Sequence, residues 1–554
     1  IARRSLLQAG LGFVAGTAAA SSFYYFRSDS LDQPNIRQVT FRRGMLHAAR
    51  FAPDGQTVLY SAQWDSQPQQ IFLADPVSPE SRGIGFLKMK LSSVSRSGEL
   101  ALLSANPSTP FSPGNLSRVP MHGGAPMPVS NGVTSADWSP DRSQLAIVRL
   151  GSQASSLEYP LGKVLFQSPG WISDARVSPK GDKVAFLEHP LRGDDSGMVT
   201  LVDLNGQARR LSEGWISIEG LAWNPAGTEI WFTACRSGIA RSVWAVSREG
   251  KLRPVAKALG TLVLQDISPS GRVIVKRDTM RSSMALSAPG EKGDRDLSWF
   301  DWTRPIDLSP DGKSVLFDES GEGGGPHYAV YVRRLDDDTT TRLGQGRALG
   351  FSPDGRWALT LGQEGLGHLL LVPIGAGEPR KISGQGLLYQ WARYFPDGER
   401  LLAAGSEPGK NLQLYIQPVD GGKPRPLTSE FFLRTAAISP DGKRLAGLNN
   451  DGKLVVCDVE TGATRAVPTS EPLFPIQWSQ DGAWLYARQA GLVPTRISRI
   501  DPASGRSELW KEISPRDPAG VGTVTRVLLT QDGRTAVYSY VRVLSELYLV
   551  DGWR

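Results

Sequence analysis

The sequence predicts an all-β protein: two tandem β-propellers of about six four-stranded blades each, behind an N-terminal transmembrane or signal helix. Three observations predict it. An apolar strand, a Ser-Pro-Asp-Gly turn and a second apolar strand recur down the chain, most cleanly over residues 348–359. The turn glycines fall at a period of 39 to 51 residues, mostly 43 or 44, which is the length of a four-stranded blade. Sixty Gly and thirty-nine Pro supply the many tight turns such a fold needs.

The turn explains the phrase. Pro presets φ, and Asp-Gly supplies the positive φ that a tight connection requires, so each copy reads as two antiparallel strands. Eleven copies carry the glycine, from Gly55 and Gly98 to Gly482 and Gly533, and a twelfth has Arg142 in its place. One blade reads in full: strand 436–438, turn Ser439-Pro440-Asp441-Gly442, strand 444–448, strand 454–459, turn Glu460-Thr461-Gly462 and strand 464–467. A lone blade cannot bury both faces, so blades must stack into a ring.

In chain order, residues 1–34 come first as an anchor or export signal. Residues 5–26 are uncharged and long enough to span a bilayer, with Arg3 and Arg4 before them and Asp29 and Asp32 soon after. That asymmetry puts the N-terminal end in the cytoplasm and the rest outside. Arg3-Arg4-Ser5-Leu6-Leu7 also reads as a twin-arginine export signal, with Ala18-Ala19-Ala20 as a cleavage site. Twelve blades exceed one ring, so residues 35–291 form a first propeller and 292–554 a second. The stretch Pro289-Gly290-Glu291-Lys292-Gly293-Asp294-Arg295-Asp296 is the linker. Five plus seven blades is a rival division. Another has Arg37-Gln38-Val39-Thr40 closing a blade with Glu546-Leu547-Tyr548-Leu549-Val550, which would draw the chain ends together.

These phrases resemble the TolB-like, WD-like propeller repeat, which that family builds as six-bladed rings. Residues 300–309, 321–331 and 538–550 further resemble the extracytoplasmic half of bacterial transmembrane serine/threonine kinases. That resemblance implies a cytoplasmic kinase domain upstream, one membrane helix and then propellers. The chain holds no His-Arg-Asp or Asp-Phe-Gly motif, so no kinase activity is assigned to it. Similar propellers also follow winged-helix transmembrane regulators.

Composition narrows the chemistry. Net charge is +7, with scattered positive residues, which does not make a nucleic-acid footprint. Two cysteines, Cys235 and Cys457, read as buried free thiols. The five histidines have no metal-ligand spacing, and no Gly-x-Ser-x-Gly elbow occurs, so neither a metal or other cofactor nor a serine peptidase is expected. The turn aspartates Asp54, Asp311, Asp354, Asp397 and Asp441 read as turn formers. Strands alternate direction, so all Ser-Pro-Asp-Gly turns share one face and the longer irregular loops share the other. Variable loops on a rigid scaffold are where binding sits. Trp64, Asp65, Arg192, Asp194, Glu322 and His327 are therefore the expected ligand-face residues, for a protein, small-molecule or glycan partner. The expected function is a non-catalytic sensor or interaction module, held in the inner membrane with its propellers outside the cytoplasm. An exported periplasmic scaffold is the alternative, and a propeller enzyme with carboxylates at the ring channel a third class.

Overall fold

The computed structural model describes residues 34–554 except 66, 76–79, 105–112, 152–153, 191–193, 213, 238–239, 258–259, 326–327, 363–367, 408–409, 411, 429–430, 450, 490 and 492. The expected N-terminal helix lies outside the described residues. Among them no helix is long and apolar enough to cross a membrane.

The chain is all-β, with antiparallel sheets of the kind that form propeller blades. Eight are separate four-stranded sheets, and two larger sheets each combine two such units. In every unit a predicted turn joins the first two strands. Gly55 and its ten counterparts all have φ between 66° and 86°, and Arg142 adopts φ 70° in the same place. The turn aspartates serve these turns. Asp354 accepts the Ser352 hydroxyl at 2.5 Å and the Arg356 backbone N–H at 3.1 Å, and Asp441 and Asp311 repeat the pattern. Asp54 and Asp397 likewise accept backbone N–H groups of their own turns.

Apolar side chains on both faces of each sheet pack against its neighbours. Ala185, Leu187, Val199, Trp215, Leu221 and Phe232 share one such cluster, and Ala437, Ala446, Leu448, Trp478 and Leu485 another. Burying one large side chain of this kind contributes about 1.5–3 kcal/mol. The sheet-to-sheet contacts close on themselves twice. The first strands Gly44–Phe51, Met89–Val94, Met127–Trp138, Trp171–Val177, Ser217–Trp223 and Thr261–Ile267 touch in that order, and the last touches the first. Downstream, consecutive sheets from residue 303 onward also touch, and Val521–Leu529 returns to Thr303–Leu308.

Two long strands join these cycles. Val273–Ser287 pairs antiparallel with Ala536–Asp551 over its whole length, from Val273 opposite Val550 to Ser287 opposite Ala536. At one end the ribbon is flanked by Thr261–Ile267 and Asn35–Gln38, at the other by Val521–Leu529 and Arg295–Asp296. Each cycle is thus closed by a sheet whose strands come from both halves of the chain. The pairing of Arg37 and Gln38 with Leu549 and Tyr548, read in the sequence as a rival arrangement, is present. The expected linker is a turn, with Gly290 and Gly293 at positive φ, that folds Arg295–Asp296 back onto Ala285 and Leu286. Cys235 and Cys457 are buried thiols that are not joined in a disulfide.

Candidate functional site: charged columns at the two axes

In each unit the residue three places before the turn proline, or before Arg96, Gln480 or Gln531 in its place, lies on the first strand of the sheet. In the first cycle this column reads Arg50, Ser93, Asp137, Arg176, Ala222 and Asp266; in the second, Asp307, Gly350, Arg393, Ala437, Gln477 and Leu528. A β-bulge sits in the strand beside most of these positions, as at Leu264/Asp266 and Pro305/Asp307, and bulges re-aim side chains. The carboxylates of the column clamp the next sheet. Asp266 accepts the Phe51 N–H at 2.9 Å, Asp137 that of Val177 at 2.8 Å, and Asp307 that of Phe351 at 2.9 Å. Gly350 makes room for the last of these, because a Cβ there would stand 3.1 Å from the Asp307 carboxylate.

At the first axis, charges of both signs interleave. Arg50 and Arg176 are buried; Arg50 donates to the Ala49 and Gln265 carbonyls, Arg176 to that of Ala175. Lys276 pairs with Asp278 at 2.7 Å, and Arg241 with Glu219 at 2.6 Å. Burial dominates the titration here. It pushes Asp137 and Asp266 above the usual carboxylate range despite Arg176 and Arg50, and it lowers Arg50 to about 10 with Arg176 adding to the effect. Burial and then Lys90 and Lys276 lower His47 to about 3, so its imidazole is neutral across the physiological range.

The second axis carries fewer carboxylates. Arg304 forms a two-pronged pair with Asp318 at 3.0 and 2.9 Å, and Arg393 meets Asp307 at 3.3 Å. Two cavities of about 180 and 210 Å³ open there, both lined by Asp307, Arg393 and Gln477. Pro310, Pro353 and Pro396 also line them, so they lie on the face of the Ser-Pro-Asp-Gly turns.

Of the six expected ligand-face residues, Trp64, Asp65 and Asp194 have described side chains. Trp64 is 1% exposed and packs against the stacked rings of Tyr60 and Phe72, so it is a core residue and cannot meet a ligand on the loop surface. The strand Val58–Trp64 includes it, where the sequence reading put it in the following loop. Asp65 is exposed, has φ 46°, and pairs with Arg42 at 3.1 Å. Asp194 is committed locally: its carboxylate accepts the Ser196 N–H at 2.7 Å and its carbonyl the Trp171 indole N–H at 2.9 Å. Arg192, His327 and the Glu322 side chain lie outside the described residues. His189 is buried, stacked on Trp171 and bonded to Ser173 and Ser196. Sequence reasoning missed the axial column. Aligning the repeats on their turn prolines would have exposed it, since charged residues recur at one place beside apolar ones.

The axial carboxylates do converge at the first cycle, but among guanidinium and ammonium groups. Among the described residues no group of three His, Cys, Asp or Glu could hold a metal ion.

Residues 415–544 match the model of the lipoprotein LpqB β-propeller domain. No curated protein matches the chain. Among solved structures, the tricorn protease is similar at 12% identity and TM-score 0.37, over 91% of this chain and 58% of that one. This chain thus spans under two thirds of the tricorn chain. TolB from Acinetobacter baumannii is similar at 14% identity and TM-score 0.28, over 59% of this chain and 77% of that one. An oligogalacturonate lyase from Vibrio parahaemolyticus is similar at 13% identity and TM-score 0.31, over 63% and 95%.

Proposed function

We propose that this chain is a non-catalytic, extracytoplasmic binding module made of two six-bladed propellers. Residues 35–291 build most of the first ring and 292–554 most of the second, with residues 545–551 and 280–287 exchanged to complete the closing blades. The observation that carries the reading is the match of residues 415–544 to the propeller domain of a lipoprotein, a class exported from the cytoplasm. The hydrogen-bonded turn aspartates agree with it, because the carboxylates that recur most in the chain act on their own backbone. On this reading residues 5–26 hold the module at the membrane, and the module is the outer half of a signalling protein of the kinase-linked kind. A protein or glycan partner docks on the face opposite the Ser-Pro-Asp-Gly turns. Asp65 stands exposed there in a left-handed conformation that costs a non-glycine residue about 1 kcal/mol, a feature that functional loops often keep.

The test fuses alkaline phosphatase after Arg554 of the native full-length protein and follows it through cell fractionation. High phosphatase activity in the membrane fraction is the expected result. Activity in the soluble periplasmic fraction would make the chain an exported scaffold, and an inactive fusion would place it in the cytoplasm and overturn the reading.

A further inference from the structure

Two adjoining turns on one face of the first cycle expose apolar side chains among cations. Strands alternate in direction, so the turns between third and fourth strands lie beside the Ser-Pro-Asp-Gly turns. The Tyr159 hydroxyl of one set reaches the Gly181 carbonyl of the other at 3.4 Å. Leu161 and Val164 belong to the turn that leads from Ser155–Glu158 into Val164–Ser168, and they are 41% and 49% exposed. Leu204 belongs to the turn between Met198–Asp203 and Ala208–Arg210, and it is 39% exposed. The two turns touch. The Lys163 amine donates to the Leu204 carbonyl at 2.7 Å, and a Cβ on Gly206 would stand 3.3 Å from the Leu165 carbonyl oxygen. Residues 159–164, 203–209 and 247–252 hold four cations, Lys163, Arg209, Arg248 and Lys251, against two carboxylates, Asp203 and Glu249. The Asp203 carboxylate is taken up by the N–H groups of Asn205 and Gln207, both at 2.9 Å.

The corresponding turns of the second cycle differ. Residues 335–339, 374–379, 419–424, 459–463 and 501–506 place no exposed large apolar side chain there among the described residues, and Asp336, Asp337, Asp338 and Glu460 are exposed on them. The chain also enters the first cycle from its turn face. Asn35 pairs with Asp551, the Asp551 carboxylate accepts the Arg272 guanidinium beside the turn at Gly271, and a Cβ on Gly552 would stand 3.6 Å from Pro34. Pro34 stands eight positions after Phe26, so the chain between them spans at most about 28 Å. With residues 5–26 held in the membrane, that tether brings this face to the lipid. Aliphatic side chains ringed by Lys and Arg suit an anionic lipid surface, because the one set enters the headgroup boundary while the other meets the phosphates.

We propose that the turn face of the first cycle docks on an anionic lipid surface, with Leu161, Val164 and Leu204 entering the headgroup layer and Lys163 and Lys251 facing the phosphates. This rests on the membrane-held reading above and adds an orientation to it: the turn face lies against the bilayer, and the opposite face, where the partner is expected, points away.

The test reconstitutes the full chain in vesicles of phosphatidylglycerol or of phosphatidylcholine, with brominated acyl chains as a contact quencher. A fluorescent dye is attached at Leu161→Cys or Leu204→Cys. Ile216→Cys, exposed just before Ser217–Trp223 on the opposite face, is the control, and the unsubstituted chain with its two buried thiols is the labelling blank. In phosphatidylglycerol the dye at Leu161→Cys and Leu204→Cys should lose about half of its emission, because an interfacial side chain lies roughly 5–10 Å into the headgroup boundary. It should lose less in phosphatidylcholine, and the Ile216→Cys dye should lose none. Lys163→Gln and Lys251→Gln should each lower the docked-to-undocked ratio by about fivefold. Absence of quenching at Leu161→Cys and Leu204→Cys, or equal quenching at all three positions, would overturn the proposal. So would a dye shielded from iodide yet untouched by bromine, since a protein or a second copy would then cover the patch. An alkaline carbonate wash reads the anchor separately. Release of the chain by the wash refutes the membrane-held reading, while quenching still decides the patch, because a chain bound only through its turn face shows it as well.

Discussion

Among the described residues, ten four-stranded units are built from strands that follow one another in the chain. The two closing units take strands from both ends and from the middle. A consecutive unit can form from about 40 residues of chain, whereas a closing unit brings Val273 to Val550 and Asn35 to Asp551. Loop-closure entropy makes such distant pairing late and slow. In return, the two closing units are one continuous ribbon. The far end of each strand supports a ring other than the one in which it starts. The closing units therefore couple the two cycles of sheets, while the consecutive units only extend them.

The sharpest way to break that coupling is to remove residues 545–554. The deletion takes the third strand from the first ring's closing blade and leaves Ala536–Arg542 in place against Val521–Leu529. We expect a loss of more than about 4 kcal/mol, concentrated in the first ring. Hydrogen exchange should show protection lost around residues 44–74 and kept around residues 303–345. Exchange confined to the new C-terminus would sink the coupling. Leu549→Ala tests the same contact with one side chain. Leu549 packs with Leu46, Tyr60 and Phe72, more than 470 residues away in the chain, so it should cost about 2–5 kcal/mol by chemical denaturation. A similar truncation in a consecutive unit, such as Leu454→Ala, should destabilise its own ring without lowering protection in the other.

The comparison also shows what a reader of the sequence can and cannot see. The consecutive units were legible because the turn phrase is local: Pro, Asp and Gly force the geometry wherever they occur. The closing units were not, because Val273–Ser287 and Ala536–Asp551 look like other apolar strands that happen to be long. Only the pairing of residues 37–40 with 546–550 was visible, as one option among several. The residues from Pro289 to Asp296 read as a linker because they are rich in Gly and charge, which a surface turn also requires. The axial column was hidden for a different reason. A charge between apolar residues in a strand reads as a solvated face, and only closure of the cycle brings Asp307 and Arg393 together at one place. Trp64 was misplaced by a strand boundary, which sequence patterns fix least well.

The clamps across blades form the next comparison. Asp266 joins the two blades that close the first ring, and Asp137 joins two consecutive ones, by the same bond to a backbone N–H. Replacing either by Ala leaves a buried N–H unpaired, at about 1–3 kcal/mol. If closure is the weaker seam, Asp266→Ala should lower the denaturation midpoint more than Asp137→Ala. Equal losses would mean that the ribbon already secures the seam. Arg142→Gly works in the opposite direction. Arg142 holds φ 70°, where its eleven counterparts are glycine, so the change should stabilise the chain by about 1 kcal/mol.

The smallest effect per residue separates the turn aspartates from the axial ones by the sign of their pH dependence. The Ser352 hydroxyl, then Arg356, holds Asp354 down at about 2, and Ser439 and Ser309 hold Asp441 and Asp311 below the usual range. The unfolded value is about 3.9. A depressed folded pKa adds stability that is fully present above the unfolded value and is lost as pH falls through the folded one, from about pH 4 to 2. Asp137 and Asp266 are raised by burial, so each costs stability as pH climbs above its unfolded value toward its folded one. Melting temperature followed from pH 2 to 7 should therefore climb less steeply between pH 2 and 4 in Asp354→Asn than in the wild type. In Asp266→Asn it should rise more above pH 4, because the ionisation that opposes stability there is gone. If both variants bend the profile the same way, the axial carboxylates are paired as fully as those of the turns, and the electrostatic contrast between axis and turn falls.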